Sequence, residues 1–396
     1  MTNTFHTTFI QLTKNIRIIA LFSITLVFCT TKNNNQHSVI SIEEKSEHLI
    51  KLDSESSFEL LSIQIIEEKS LLLTLDAIKN NINIFNFDKG EIVDKIPINI
   101  NEKNQILNPT RFYFHNKDSI FIIDFGSNIK LINNKGIIKN SYNIGEIKSK
   151  KREYEGIYGY LPISNNKNFI FKNNRIFYPT EHIIGSEGRL GIFNIKSSKT
   201  EEVINQPYEI NNLLESDVTD FWYDFDSFTN SIYISFPLAN SVYQYNLDDN
   251  TLIKLNNSNI DHDFRDHYNP LFNDLRYLNI EPERVINILD SHKLLNRYTS
   301  IILTDNYIAR IYIHKAEKAF SKARNFTIYI YSKSGEILGK RYFKNPTKKG
   351  EILLVSNMED FIFSKKDNLL IPFLKSNQDE NILSIKSFSI SDLHDN

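Results

Sequence analysis

One cysteine in 396 residues rules out any internal disulfide, so Cys29 needs another explanation. Glycine is scarce at 12, and neither a Walker pattern nor GxGxxG occurs, which argues against a phosphate-cradling loop. No excess of positive charge exists either: the formal net charge is −2, with lysine and arginine scattered. The basic footprint that nucleic-acid binding requires is therefore missing. The run Lys148, Lys150, Lys151 and Arg152 lies in a polar connection and reads as a solvated loop. Helical periodicity is rare beyond residue 45. The exception is Leu271 to Leu295, where Val285, Ile286, Ile288 and Leu289 fall on one helical face and predict a helix capping a blade.

What the chain does contain is a recurring hairpin. Apolar runs break at Glu67-Glu68-Lys69, His115 to Asp118, Lys172-Asn173-Asn174, Ser227 to Asn230, Thr304-Asp305-Asn306 and Lys365-Lys366-Asp367, and a second apolar run follows each time. In the first five units a second hairpin follows, turning at points such as Asp88-Lys89-Gly90, Asp248-Asp249-Asn250 and Lys333-Ser334-Gly335. Asn, Asp and Gly supply the positive φ that tight hairpins need. Four strands per unit, repeated six times, predict an all-β, six-bladed β-propeller. The sixth unit, with runs at Asp360 to Phe363, Leu369 to Phe373 and Ile382 to Ile390, stops one strand short. The strand-like run Leu49 to Leu52 is expected to complete it, because closure removes the open edges that invite aggregation.

The N-terminal residues read as an export signal. Lys14 and Arg17 flank the apolar stretch Ile18 to Phe28, which is too short to span a bilayer as a helix. The pattern Leu26-Val27-Phe28-Cys29 resembles a bacterial lipobox, in which the cysteine is acylated, although Phe28 stands where a small residue is usual. The expected organisation is a lipoprotein-type signal over residues 1–29, a polar, Asn-rich tether over 30–45, and the propeller over 46–396. The stretch after Cys29 lacks an acidic run of the kind that directs some lipoproteins to the cell surface. The expected address is the cell envelope, with a lipid anchor in the outer membrane facing the periplasm.

Strand alternation sorts the connections. First and third turns lie on one face of the disc and are short; the second turns and inter-blade links lie on the other and include the long segments Gly145 to Ile163 and Asn256 to Arg297. Long loops on a rigid scaffold are where binding usually resides. Tyr154, Tyr158 and Tyr160 form an aromatic loop suited to interfaces or sugar stacking, against the commoner role of packing over a blade. His262 and His267, within Asp261 to His267, have the ligand density of a metal site, yet consecutive loop residues seldom converge on one ion. Hydrogen bonding at the loop base is the plainer reading. Asp76 and Asp124 end equivalent second strands, as carboxylates do in metal-dependent propeller lactonases, although turn initiation is commoner. Trp222, Tyr223 and Phe225 read as core and channel lining. No nucleophile-elbow pattern occurs.

Repeats such as Ile84-Phe85-Asn86-Phe87-Asp88-Lys89-Gly90-Glu91 and Ile328 to Glu336, the signal ending at Cys29 and the link containing His267-Tyr268-Asn269-Pro270-Leu271 together resemble the six-bladed propeller lipoproteins of Bacteroidetes. Blade turns of this kind also occur in NHL-like and TolB-like propellers. The resemblance implies an envelope lipoprotein with a binding role, and it carries over no catalytic residue. The expected function is non-catalytic binding of a partner protein, peptide or glycan on the long-loop face, with no cofactor. The alternative is a metal-dependent hydrolase or lactonase acting at the channel mouth.

Overall fold

In the computed structural model, residues 39–53, 56, 60–76, 78–98, 106, 108–124, 128–143, 169–179, 188–205, 222–236, 239–255, 296–314, 325–344, 351–353, 362–375 and 382–393 are described. The first strand, β1 (Ile40–Lys51), is followed by five sheets, each built from four consecutive antiparallel strands. Blade 1 holds β2 (Leu60–Ile66), β3 (Leu71–Asp76), β4 (Asn81–Asn86) and β5 (Glu91–Pro97). Blade 2 holds β6 (Pro109–Asn116), β7 (Ser119–Asp124), β8 (Asn128–Ile132) and β9 (Ile138–Asn143). Blade 3 holds β10 (Ile170–Lys172), β11 (Arg175–Pro179), β12 (Gly188–Asn194) and β13 (Lys199–Asn205). Blade 4 holds β14 (Trp222–Asp226), β15 (Ser231–Ser235), β16 (Val242–Asn246) and β17 (Thr251–Lys254). Blade 5 holds β18 (Arg297–Leu303), β19 (Tyr307–Ile313), β20 (Phe326–Ser332) and β21 (Ile337–Phe343). Blade 6 holds β22 (Glu351–Leu353), β23 (Phe363–Lys365), β24 (Asn368–Lys375) and β25 (Ile382–Asp392), with β1 as its outer strand.

The hairpin turns use asparagine where a richer sequence would use glycine. Asn173, Asn174, Asn230 and Asn250 all have φ between +49° and +61°, alongside Gly90, Gly136 and Gly335. Asparagine tolerates this region because its short side chain bonds its own backbone. Asn194 shows the same local bonding from a strand end, its Oδ1 accepting from the amides of Lys196 and Ser197 at 2.9 and 3.2 Å.

Among the described residues, six apolar clusters hold the ring, one at each interface between neighbouring blades. Leu73, Leu75, Ile82 and Ile84 of blade 1 meet Phe112, Phe114, Ile120 and Ile122 of blade 2. Equivalent clusters join blades 2 and 3, 3 and 4, 4 and 5, and 5 and 6. The sixth joins Ile50, Leu370, Leu383 and Ile385 of blade 6 to Leu72, Phe85 and Phe87 of blade 1, which closes the circle. Each central strand contributes alternate residues to the clusters on its two sides, so both faces of a blade are buried and the strands read as nearly continuous apolar runs.

Closure by the N-terminal strand occurs as the strand count requires. Strand β1 pairs antiparallel with β25 from Ile40–Asp392 to Lys51–Ile382, with a bulge between Glu44 and Ser46. Its ends are tied to both neighbours: the Val39 amide donates to the Leu338 carbonyl of blade 5, and the Lys51 amide to the Gly90 carbonyl of blade 1, each at 2.8 Å. Two glycines permit these approaches. A Cβ on Gly90 would lie 1.8 Å from the Leu49 carbonyl oxygen, and one on Gly339 would lie 2.6 Å from that of Ile40.

Two expectations need correction. The closing strand starts at Ile40, so residues 40–45 belong to the propeller and not to a tether ending at 45. Five consecutive residues of β1, Glu43 to Glu47, are exposed, because an outer strand has one free edge and little to pack against. The inner position of blade 6 is also divided. Strands β22 and β23 pair with the same edge of β24, at Phe373 to Lys375 and at Asn368 to Leu370 respectively, instead of forming one strand ending at Phe363.

Candidate binding face

Alternating strand direction puts the first and third turns of every blade on one face. These turns are short: Lys172 to Arg175 and Asp226 to Ser231 separate paired strands with few intervening residues. Apart from the Leu353 to Phe363 link within the divided inner strand of blade 6, the long connections leave from the opposite face. The chain runs from Asn143 to Ile170, from Asn205 to Trp222 and from Lys254 to Arg297 between blades. Within blades it runs from Pro179 to Gly188, Ile313 to Phe326 and Lys375 to Ile382. The sorting into a plain and an elaborated face is thus a property of the topology.

Tyr154, Tyr158, Tyr160, His262 and His267 all lie outside the described residues, as do Cys29 and the helix expected around Val285 to Leu289. What the structure describes on the elaborated face is its foundation. Part of it is Arg310, in the middle of β19 and fully buried. Its Nε donates to Ser235 Oγ at 2.7 Å, Nη1 to the Asn240 carbonyl at 2.9 Å, and Nη2 to the carbonyls of Phe236 and Ala239 at 2.8 and 2.6 Å. The guanidinium of blade 5 therefore grips the turn between β15 and β16 of blade 4. Its carbon lies 3.5 Å from the centre of the Tyr298 ring, a cation–π stack. Burial lowers the Arg310 pKa, while Tyr331 and Tyr298 oppose the shift. An arginine remains charged across any physiological range, so the carbonyl dipoles carry its solvation.

A tyrosine layer surrounds this group. Tyr298, Tyr312 and Tyr329 meet edge to face or tilted, with centroids 5.1 to 6.3 Å apart. Burial pushes the phenols of Tyr312 and Tyr329 up to about 12 and that of Tyr298 further still. Beyond them His314 follows β19, sharing a 2.7 Å hydrogen bond between Nε2 and Thr327 Oγ1 and meeting Tyr312 and Tyr342 edge-on. Trp222 and Tyr223 are buried, and Phe225 packs against the cluster between blades 3 and 4, in line with their reading as core.

The carboxylates suggestive of a lactonase serve turns. Asp76 Oδ1 accepts from the amides of Ile78 and Lys79, both at 2.9 Å. Asp124 Oδ1 accepts from the Asn128 amide at 3.0 Å and its side-chain Nδ2 at 3.2 Å. Among the described residues no three His, Cys, Asp or Glu side chains gather where one metal ion could sit. Arg310 was not singled out from the sequence, although a signal existed: it interrupts the apolar run Tyr307 to Ile313.

No family model and no curated protein matches this sequence. Its fold does have solved counterparts. A member of the DUF4221 family from Bacteroides vulgatus superposes with a TM-score of 0.66 at 16% identity, over 90% of this chain and 99% of that one. A protein from Bacteroides fragilis described as exported superposes with a TM-score of 0.52 at 10% identity, over 92% of this chain and 98% of that one. In fold, the chain is a six-bladed β-propeller similar to these Bacteroides proteins.

Proposed function

We propose that this protein is an exported, lipid-anchored envelope protein whose propeller binds a partner protein, peptide or glycan on the elaborated face without catalysis. The observation that supports this most is the asymmetry of the disc: the first and third turns of the blades are short, and the long second turns and inter-blade links leave the other face. A rigid ring with variable loops on one side is a binding architecture. The Arg310 grip on the turn after β15 adds to it, since it stiffens the base from which those loops rise. Export and acylation at Cys29 rest on the lipobox resemblance, and likeness to a Bacteroides protein described as exported is in keeping with export. Within the proposed face, Tyr154, Tyr158 and Tyr160 are the contact aromatics, with His262 and His267 as hydrogen-bonding groups. The outer membrane, facing the periplasm, is the proposed location.

The test is cross-linking in intact cells followed by affinity capture. A captured partner should be lost in a Tyr154→Ala/Tyr158→Ala variant whose unfolding midpoint is unchanged. It should be retained when Phe228, on a short turn of the opposite face, is changed to Ser. Retention in the tyrosine variant together with loss in the Phe228 variant would reverse the assignment of faces.

A further inference from the structure

We propose that the seam between blades 6 and 1 holds an internal water site formed by Thr74, Asn83 and Asn81. Thr74 on β3 and Asn83 on β4 are direct partners in the antiparallel register, so their side chains stand on the same face of the sheet about 5 Å apart at Cβ. Both are fully buried. Thr74 Oγ1, both polar atoms of the Asn83 amide and Oδ1 of Asn81 have no hydrogen-bond partner within the protein. Asn81 lies two residues from Asn83, on the same side of β4, so the four atoms line one strip.

The direction of the strip follows from its neighbours. Leu72 and Phe85 occupy the same side of these two strands and belong to the cluster shared with blade 6. Across the seam, blade 6 presents Ile50, Leu370, Leu383 and Ile385, with Ser387 beside Leu370 on the same face, and none of them hydrogen-bonds the strip. Within blade 1 the row is bounded by Ile63 on the inner side and Lys95 on the outer side, and the Lys95 ammonium is held by Asp53 at 2.7 Å. Nothing in that row reaches the amide.

Buried side-chain amides and hydroxyls are almost always hydrogen-bonded, to protein or to ordered water. The strip offers both donors, Nδ2 and the threonine hydroxyl, and acceptors, two amide oxygens. That is the two-to-four-partner environment an internal water occupies. A cation is a poorer match, because Nδ2 would point a donor at it. The ligand is therefore water, and its role is to complete the polar part of the seam beside the blade in which β1 pairs with β25.

A crystal structure at a resolution that shows ordered solvent tests this directly. The expected result is water density within hydrogen-bond distance of both Asn83 and Thr74, lost in a Thr74→Val/Asn83→Leu variant. In solution, magnetic relaxation dispersion of water oxygen should count at least one fewer long-lived internal water in that variant. If the variant does not fold, the wild-type density still decides. A direct Thr74–Asn83 hydrogen bond with no solvent between the blades would overturn the proposal, as would an unchanged count of long-lived waters.

Discussion

The guanidinium of Arg310 lies 3.5 Å from the ring centre of Tyr298, and it donates four hydrogen bonds to residues 235 to 240 of the neighbouring blade. One side chain thus joins the inner strand of blade 5 to the turn that closes β15 and β16. Blades in a ring contact mainly through apolar side chains, which carry little directional information. A buried cation with four acceptors fixes the angle between two blades as well as their proximity.

Replacing Arg310 with Met should destabilise the protein by about 3 kcal/mol, because the Phe236, Ala239 and Asn240 carbonyls lose their donors in a dry interface. Arg310→Lys should recover only part of this, since an ammonium cannot reproduce the planar fork or the stack on Tyr298. Equilibrium unfolding in urea measures both. A loss below about 0.5 kcal/mol for the Met variant, the range of ordinary surface changes, would show that the grip is not structural.

Closure of the ring makes a prediction at two glycines. Gly90 has φ +68°, and a Cβ there would strike the Leu49 carbonyl; Gly339 meets Ile40. Gly90→Ala should cost about 3 kcal/mol through the left-handed conformation and the displaced strand together, and Gly339→Ala somewhat less. Hydrogen exchange should show the loss concentrated in β1, with amides from Ile40 to Lys51 exchanging ahead of those in β19.

His48 lies on the same closing strand, with its ring stacked on Phe87 at 4.4 Å. Burial lowers its pKa below the usual 6.5; Asp88 opposes the shift and Lys365 adds to it. The other group within reach is the Ser46 hydroxyl at 3.5 Å. A depressed histidine pKa means that the fold favours the neutral ring. The stability it contributes is complete above pH 6.5 and is lost as pH falls through the depressed folded value. His48→Gln should flatten this part of the stability–pH curve, and an unchanged slope would discount the stack as a titrating contact.

The tyrosine layer of blade 5 titrates at the other extreme. Tyr312 and Tyr329 are pushed up to about 12 by burial, from the ordinary value of 10. A raised folded pKa gives stability that is complete below pH 10 and lost as pH rises through about 12. Tyrosinate absorbance in the folded protein should show a late-ionising class, and Tyr312→Phe should reduce it. Simultaneous ionisation of every tyrosine near pH 10 would contradict the burial.

At the N-terminus, Cys29→Ala should abolish incorporation of labelled palmitate and move the protein from the membrane fraction to the soluble one. Retained label would place acylation elsewhere and remove the anchor at Cys29 from the proposed function.

Much of this architecture could be read from residue order, and the reasons are local. A tight hairpin needs positive φ within two to five residues, so Asn173-Asn174, Asn230, Asn250 and Gly90 announced their turns directly. The missing strand of the sixth unit announced closure, because an open inner sheet is costly. The start of β1 did not show itself, because Glu43 to Glu47 lie on an exposed outer strand and lack the alternation that burial imposes. The divided inner strand of blade 6 was hidden for a similar reason: β22 and β23 are three residues each, too short to establish a period. Asp76 and Asp124 read first as turn residues and second as cation ligands, because a carboxylate at a strand end suits both, and their acceptor bonds to following amides match the turn role.

By itself, the order of amino acids determined the number of blades, the hairpin turns, the closing of the ring by its own N-terminal segment and the division into a plain and an elaborated face. Each of these depends on neighbours within a few residues or on the parity of strands. Tertiary structure alone decided that Arg310 would bind carbonyls some 70 residues away, that Gly90 and Gly339 would make room for β1, and that Thr74 and Asn83 would be buried without a protein partner. Those outcomes depend on which surfaces meet when separate sheets pack, and no local pattern along the chain encodes that meeting.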